Sequence, residues 1–174
     1  GLVEAEAKDE FGYKYTYYTR RDDAERKPVY WRRKDYPDIV YRTQETKLRS
    51  VTREILQYHV MGRPMLVGTT SVELSENVSN RLRAEPLRRL AQVLLLRHNW
   101  FIRNNRDEDG RQVDELLYLN EPLETLDIAA MRKLARELDI SFNPEEASNI
   151  QSLLSILNLS PADAERLVAA LQGG

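Results

Sequence analysis

From Gly62 to Glu76 the chain reads G-R-P-M-L-V-G-T-T-S-V-E-L-S-E, an order that constrains the fold more than any other stretch. A helical pattern ends at Gly62, a short apolar run (Met65, Leu66, Val67) follows, and Gly68-Thr69-Thr70-Ser71 turns into a second helical pattern. Helix, strand, turn and helix in that order make the repeating unit of an α/β sheet with parallel strands. Open sheets of this kind place ligands at the carboxyl ends of their strands, where Gly68 to Ser71 would sit. Thr70 and Glu73 have the spacing of a capping box, the hydroxyl accepting from the N–H three residues on and the carboxylate reaching back. The free N–H groups and hydroxyls of such a turn suit a phosphate. A lone G-T-T-S is equally a strand-to-helix junction without a ligand, so the turn by itself names no chemistry.

The upstream pattern is mixed. Leu2 to Glu10 is short, acidic and compatible with a helix. Tyr13 to Thr19 (Y-K-Y-T-Y-Y-T) alternates as a strand does, with Tyr and Thr suited to a half-buried pleated surface. Arg20 to Lys27 is a charged turn, and Pro28 to Arg33 is expected to be a second strand antiparallel to the first. This hairpin interleaves Lys14, Arg20, Arg21, Arg26, Lys27, Arg32, Arg33 and Lys34 with tyrosines and Trp31, the composition of a single-strand nucleic-acid binder. Asp22, Asp23 and Glu25 interrupt the positive field, which favours a sheet edge guarded by charge. Asp35 to Thr43 reads as a turn at Tyr36-Pro37-Asp38 followed by a short strand, Ile39-Val40-Tyr41. Gln44 to Met61 is then a helix with Leu48, Val51, Ile55 and Tyr58 in one stripe, stopped by Gly62 as its C-terminal cap. His59, in its last turn, reads as a surface or packing residue.

After a helix from Ser71 to about Arg83 the composition shifts from Tyr, Thr and Val to Leu, Ala, Arg and Glu, and a boundary falls near Ala84. Pro86 to Asn104 predicts a long helix whose apolar residues exceed one stripe, so it is buried on several sides or presents a partner surface. Asn104 to Gln112 is a polar loop whose Asp107, Asp109 and Gly110 lack the full ligand pattern of a calcium loop. Val113 to Asn120 is a short amphipathic element. Three compact helices follow: Asp127 to Leu138, one capped by Asn143 with Pro144 and Glu146, and one started by Ser160-Pro161, together a bundle. No carboxylate pair, Ser/His/Asp set or phosphate loop falls within it.

Composition narrows the function classes. The 174 residues, 41% hydrophobic and 31% charged, suit one ordinary globular domain or two small ones. A net charge of −2 offers no general attraction to nucleic acid or anionic lipid. With no cysteine and only His59 and His98, neither a disulfide framework nor a zinc site is expected. No apolar run approaches the about 20 residues of a membrane span, and the N-terminus does not look like a signal peptide, so a soluble intracellular protein is expected.

The motif R-K-D-Y-P-D-I-V-Y-R-T (Arg33 to Thr43), followed by G-R-P-M-L-V-G-T-T-S and V-G-T-T-S-V-E-L-S-E, closely resembles SecA, the ATP-driven motor of bacterial preprotein export. The likeness falls at the start of that family's second nucleotide-binding domain and is firm from about Arg32 to Leu82, under a third of the chain. The hairpin before it departs from the family pattern, and the strand leading to H-x-V-L-N-A-K does not follow. The resemblance implies an α/β fold, an incomplete RecA-like, helicase-like parallel sheet with flanking helices, plus an all-α helical bundle insertion. Residues 1–84 would be part of the second nucleotide-binding (helicase C-terminal-like) domain, with a β-hairpin near 13–33. Residues 85–174 would be the helical variable insertion, of a kind that modulates nucleotide exchange or motor activity.

By motif match, Gly68, Thr69, Thr70, Ser71, Glu73 and Ser75 are the candidate nucleotide-binding residues, and Arg33, Asp35, Tyr41, Arg42 and Thr43 the candidate interdomain interface. No catalytic residue and no metal ligand is assigned. There is no G-x-x-x-x-G-K-[ST], no D-E-A-D-like pair and no downstream arginine-finger stretch, and phosphoryl transfer needs cradle, metal and arginines together. ATP and magnesium therefore belong to the parent protein, and the fragment is expected to bind neither tightly. The implied partners of the parent are the rest of the SecA motor, the SecYEG channel, unfolded preproteins and anionic lipid. Its expected location is cytoplasmic and peripheral at the inner face of the cell membrane, with no nucleic acid bound. The alternative is the nucleic-acid-binding half of a superfamily-two helicase, which would bind single strands with steep salt dependence.

Overall fold

The computed structural model describes residues 2–8, 14–25, 28–33, 36–63 and 72–173. Within them the chain is mostly helical with one small sheet. Three strands, β1 (Leu2–Lys8), β2 (Lys14–Arg20) and β3 (Pro28–Arg33), form an antiparallel meander in the order β1-β2-β3. The register pairs Ala5 with Tyr17 and Tyr17 with Trp31, and an irregularity falls between Tyr18 and Thr19. The hairpin expected near 13–33 is thus β2 and β3, joined by a turn in which the Asp23 N–H donates to the Arg20 carbonyl.

Two local expectations are corrected. Leu2 to Glu10 does not start as a helix. Its V-E-A-E alternation puts Val3 and Ala5 on a half-buried face and Glu4 and Glu6 outward, and seven residues ladder onto β2. Pairing with a Tyr- and Thr-rich partner overrides the helix preference of Ala and Glu. Ile39-Val40-Tyr41 is helix rather than strand, because α1 (Tyr36–Val60) begins at the tyrosine of the supposed turn. Pro37 falls in the first turn, where no intrahelical N–H is required, and the β-branched pair then continues the helix at small cost. The expected strand Met65–Val67 lies outside the described residues. Among the described residues every strand pairing is antiparallel, so the parallel helicase-like sheet is not among them.

Gly62 ends α1 as anticipated. Its φ is +72°, its N–H donates to the His59 carbonyl at 3.0 Å, and the Arg63 N–H donates to the Tyr58 carbonyl at 2.8 Å. These are the two bonds of a Schellman motif. Next come α2 (Val72–Arg81) and α3 (Ala84–Arg103), with Leu82 and Arg83 between them. A 3-10 helix (Asp114–Asn120) and a shorter one (Leu123–Thr125) lead to α4 (Ile128–Glu137), α5 (Ala147–Ile156) and α6 (Ala164–Leu171). Asp127 caps α4 through the Ala130 N–H. The cap of α5 is Glu146, which accepts from the N–H groups of Ser148 and Asn149; Asn143 instead closes the preceding turn by accepting from the Glu145 N–H at 3.1 Å.

The long helix α3 is central, which accounts for its broad apolar surface. On one side Leu87, Ala91 and Leu95 pack with Ile150, Leu153 and Leu154 of α5, with Leu167 and Leu171 of α6, and with Leu56 and Val60 of α1. On the other, Leu90, Val93 and Leu96 pack with Leu116, Leu119, Leu123, Met131 and Ala135. The core therefore runs across residue 84. α1 also satisfies the open carbonyls at the end of α5: Arg53 Nη2 donates to the Ile156 carbonyl at 2.6 Å and Gln57 Nε2 to the Leu157 carbonyl at 2.7 Å. The stretch beginning at Ala84 returns to its starting point, since a side-chain carbon placed on Gly173 would stand 3.4 Å from the Ala84 Cβ.

Candidate functional site

Of the residues singled out by motif, Gly68, Thr69, Thr70, Ser71 and Asp35 lie outside the described residues. Glu73 and Ser75 fall in the first turn of α2, Arg33 is the last residue of β3, and Tyr41, Arg42 and Thr43 lie in the second turn of α1. The two motif-bearing helices, α1 and α2, pack against each other.

What joins them is a charged cluster that sequence reading did not single out. Arg81, the last residue of α2, is 4% exposed at its side chain, and Glu45 of α1 is 5% exposed. Arg81 Nη1 donates to Glu45 Oε1 at 3.0 Å and Nη2 to Oε2 at 2.7 Å, a bidentate pair. The other edge of the same guanidinium faces Glu124, with Nε to Oε1 at 2.7 Å and Nη2 to Oε2 at 3.0 Å. Glu45 Oε1 also accepts from Arg49 Nε at 2.9 Å and from the Leu123 N–H at 3.1 Å. Arg49 Nη2 reaches the Glu121 carbonyl at 2.6 Å. Two arginines thus balance two carboxylates, and the buried carboxylate is saturated with donors, the condition under which burial of charge is tolerated.

Burial opposes the charge on Arg81, but the hydrogen bonds it donates to Glu45 and Glu124, with the charges of those carboxylates, outweigh it and hold its pKa above the usual arginine value. Burial likewise pushes against ionised Glu124, and the hydrogen bond with Arg81 reverses the balance, keeping its carboxyl below the usual range. Arg49 has the reverse outcome: burial lowers its pKa despite Glu45. Only the i,i+4 pair Glu45–Arg49 could have been foreseen from spacing. The Glu45–Arg81 pair spans 36 positions and Glu124–Arg81 43, and no periodicity signals either.

Nothing in this cluster is poised for proton transfer or nucleophilic attack; it is a joint. Among the described residues no group of three or more His, Asp or Glu side chains comes together. A mainly apolar groove of about 520 Å3 lies beside the root of α3, between Ile55 and His59 of α1, Leu87 and Ala170. No helix among the described residues is long and apolar enough to cross a membrane.

Residues 30–99 match the SecA P-loop domain family. The chain is 55% identical over 51 residues to the protein translocase subunit SecA of Chloroflexus aggregans, a stretch covering 29% of this chain and 5% of that protein. It is 56% identical over 52 residues to the SecA subunit of Synechococcus sp. strain JA-3-3Ab, covering 30% and 6%. With the SecA subunit of Heliobacterium modesticaldum the identity is 46% over 67 residues, covering 38% and 8%. The likeness therefore spans less than a tenth of the length of these relatives. No solved structure matches the chain.

Proposed function

Starting from a chain that carries a fragment of SecA, we propose that it serves in a motor that couples ATP binding and hydrolysis to the movement of preproteins through the SecYEG channel. The observation that carries this reading is the family match over 30–99, which contains both motifs and the helices α1 and α2 that bear them. In this reading residues 1–84 contribute part of the second nucleotide-binding domain, closing over ATP held elsewhere in the protein. Gly68 to Ser71, with Glu73 and Ser75 at the start of α2, face the nucleotide; Arg33, Asp35, Tyr41, Arg42 and Thr43 face the neighbouring domain. The phosphate-cradling lysine, the magnesium ligands and the arginine finger come from outside this chain, which alone does not turn over ATP.

Residues 85–174 are the helical insertion. The closeness of Gly173 to Ala84 supports this, because a path that comes back near its point of departure can interrupt a domain without parting its flanks. The parent works in the cytoplasm, peripheral to the inner face of the membrane, with unfolded preproteins and anionic lipid as further partners. Two measurements test the reading. The full-length protein containing this segment is expected to hydrolyse MgATP, while the 174-residue chain is not. Turnover by the chain alone, abolished by Thr69→Ala or Ser71→Ala, would overturn the division of labour.

A further inference from the structure

We infer that Arg89 of α3 and Arg132 of α4 form a binding site for a phosphate group on the helical stretch, built around Phe142. The site lies away from both sequence motifs and is independent of the nucleotide reading above. Its parts come from α3, from α4 and from the loop between α4 and α5.

Each guanidinium is held in place by a neutral group. Arg89 Nη1 donates to Gln92 Oε1 at 2.7 Å, and Gln92 Nε2 donates to the Phe142 carbonyl at 3.1 Å. Gln92 is buried, so a committed amide ties Arg89 to the loop. The guanidinium carbon of Arg132 stands 4.7 Å from the centre of the Phe142 ring, a cation resting on an aromatic face. The contacts Arg89–Gln92–Phe142–Arg132 thus bring two cations to one residue. Neither arginine makes an ion pair among the described residues. Glu145, on the same loop, has its Oε2 engaged by Arg88, which also faces Asn143 Oδ1 at 3.4 Å. Arg136, one turn on from Arg132 and likewise exposed, lengthens the positive strip.

The charges here are crowded. Burial lowers the pKa of Arg89; Glu85, one turn earlier on α3, opposes this, and the charges of Arg132 and Arg88 lower it further. Cations held side by side repel, and a bound anion turns that repulsion into attraction. A phosphate suits the arrangement better than a carboxylate does. Guanidinium forks arriving from two helices can each take two oxygens of a tetrahedral phosphate, whereas a carboxylate has two oxygens in all.

Hydrogen exchange of the full-length protein, read peptide by peptide, tests the site with inorganic phosphate as the probe. Sodium chloride at equal ionic strength is the reference. For a site of about 2 mM affinity, about 20 mM phosphate should slow exchange by up to about tenfold in peptides covering α3 and α4. Arg89→Gln and Arg132→Gln should each remove most of that slowing. Arg111→Gln, on a side chain 83% exposed, is the control and should keep it. Glycerol phosphate run in parallel separates the two sources: slowing by both assigns an esterified phosphate, and slowing by inorganic phosphate alone assigns the free ion. Slowing that chloride matches, or that survives in either variant, would overturn the inference. Should Arg89→Gln fail to fold, the exposed Arg132 decides alone: slowing lost in Arg132→Gln supports the site and slowing retained overturns it.

Discussion

Replacing Glu45 by alanine is expected to be among the most damaging single changes in the described part of the chain. The substitution removes the acceptor for two Arg81 donors, one Arg49 donor and the Leu123 N–H, while Arg81 stays 4% exposed. Removing the buried member of the pair leaves Arg81 with the exposed Glu124 alone, and breaking a buried pair in this way costs about 3–5 kcal/mol. Glu124 sits on the same guanidinium but is 62% exposed, so Glu124→Ala should cost only about 0–1 kcal/mol. With a urea dependence of about 2 kcal/mol per molar, the midpoint for Glu45→Ala would fall by about 1.5–2.5 M and that for Glu124→Ala by at most about 0.5 M. Equilibrium urea unfolding followed by circular dichroism, with the slope checked for constancy, measures both. A third variant separates pairing from packing: Glu45→Leu with Arg81→Met removes both charges and should recover much of the loss. Equal midpoints for Glu45→Ala and Glu124→Ala would refute the claim that burial decides the value of these contacts.

Other expectations follow from the same geometry. Because the Glu124 carboxyl is held below its unfolded range, its contribution is present above about pH 4.3 and is lost as pH falls through the lower folded value. The gap in urea midpoint between wild type and Glu124→Gln should therefore close on acidification below about pH 4, and a gap that widens there would contradict the assignment. Leu56→Ala opens a hole in the core shared by α1, α3, α5 and α6 and should cost about 2–5 kcal/mol. Hydrogen exchange should then quicken in α5 and α6 as well as in α1; faster exchange confined to α1 would argue against a shared core. Gly62→Ala forces a side chain into a φ of +72° beneath the Arg166 guanidinium and should cost about 1–2 kcal/mol, read as a lower melting temperature.

The helical half was legible in its parts. Pro86 and the apolar residues of α3 and α4 announced their elements because helix-start residues and 3.6-residue periodicity are local signals. The stripe on α1 was legible too, but not its cover, since nothing in Leu56 or Val60 says that α5 and α6 lie opposite. Local signals failed where tertiary pairing prevailed. Leu2 to Lys8 became a strand through β2, and Ile39 to Tyr41 was absorbed into a helix that begins at Tyr36. Glu146 displaced Asn143 as the cap of α5, a competition between two acceptors three residues apart that spacing does not decide. For the candidate site, the wording of the motifs pointed to the family, whereas the contacts that join α1 to α2 rest on side chains 36 positions apart and were invisible.

The closeness of Gly173 to Ala84 has a bearing on how such a segment could be removed. Splicing Arg83 directly onto Gly173 would need no new linker, so the path of the backbone poses no obstacle. The obstacle is chemical. The deletion would uncover Leu56 and Val60, unseat the carboxylate partner of Arg81 at position 124 and strip Arg53 and Gln57 of the carbonyls they now meet. A shortened chain would hold only if another apolar surface came to lie on α1 in the same place.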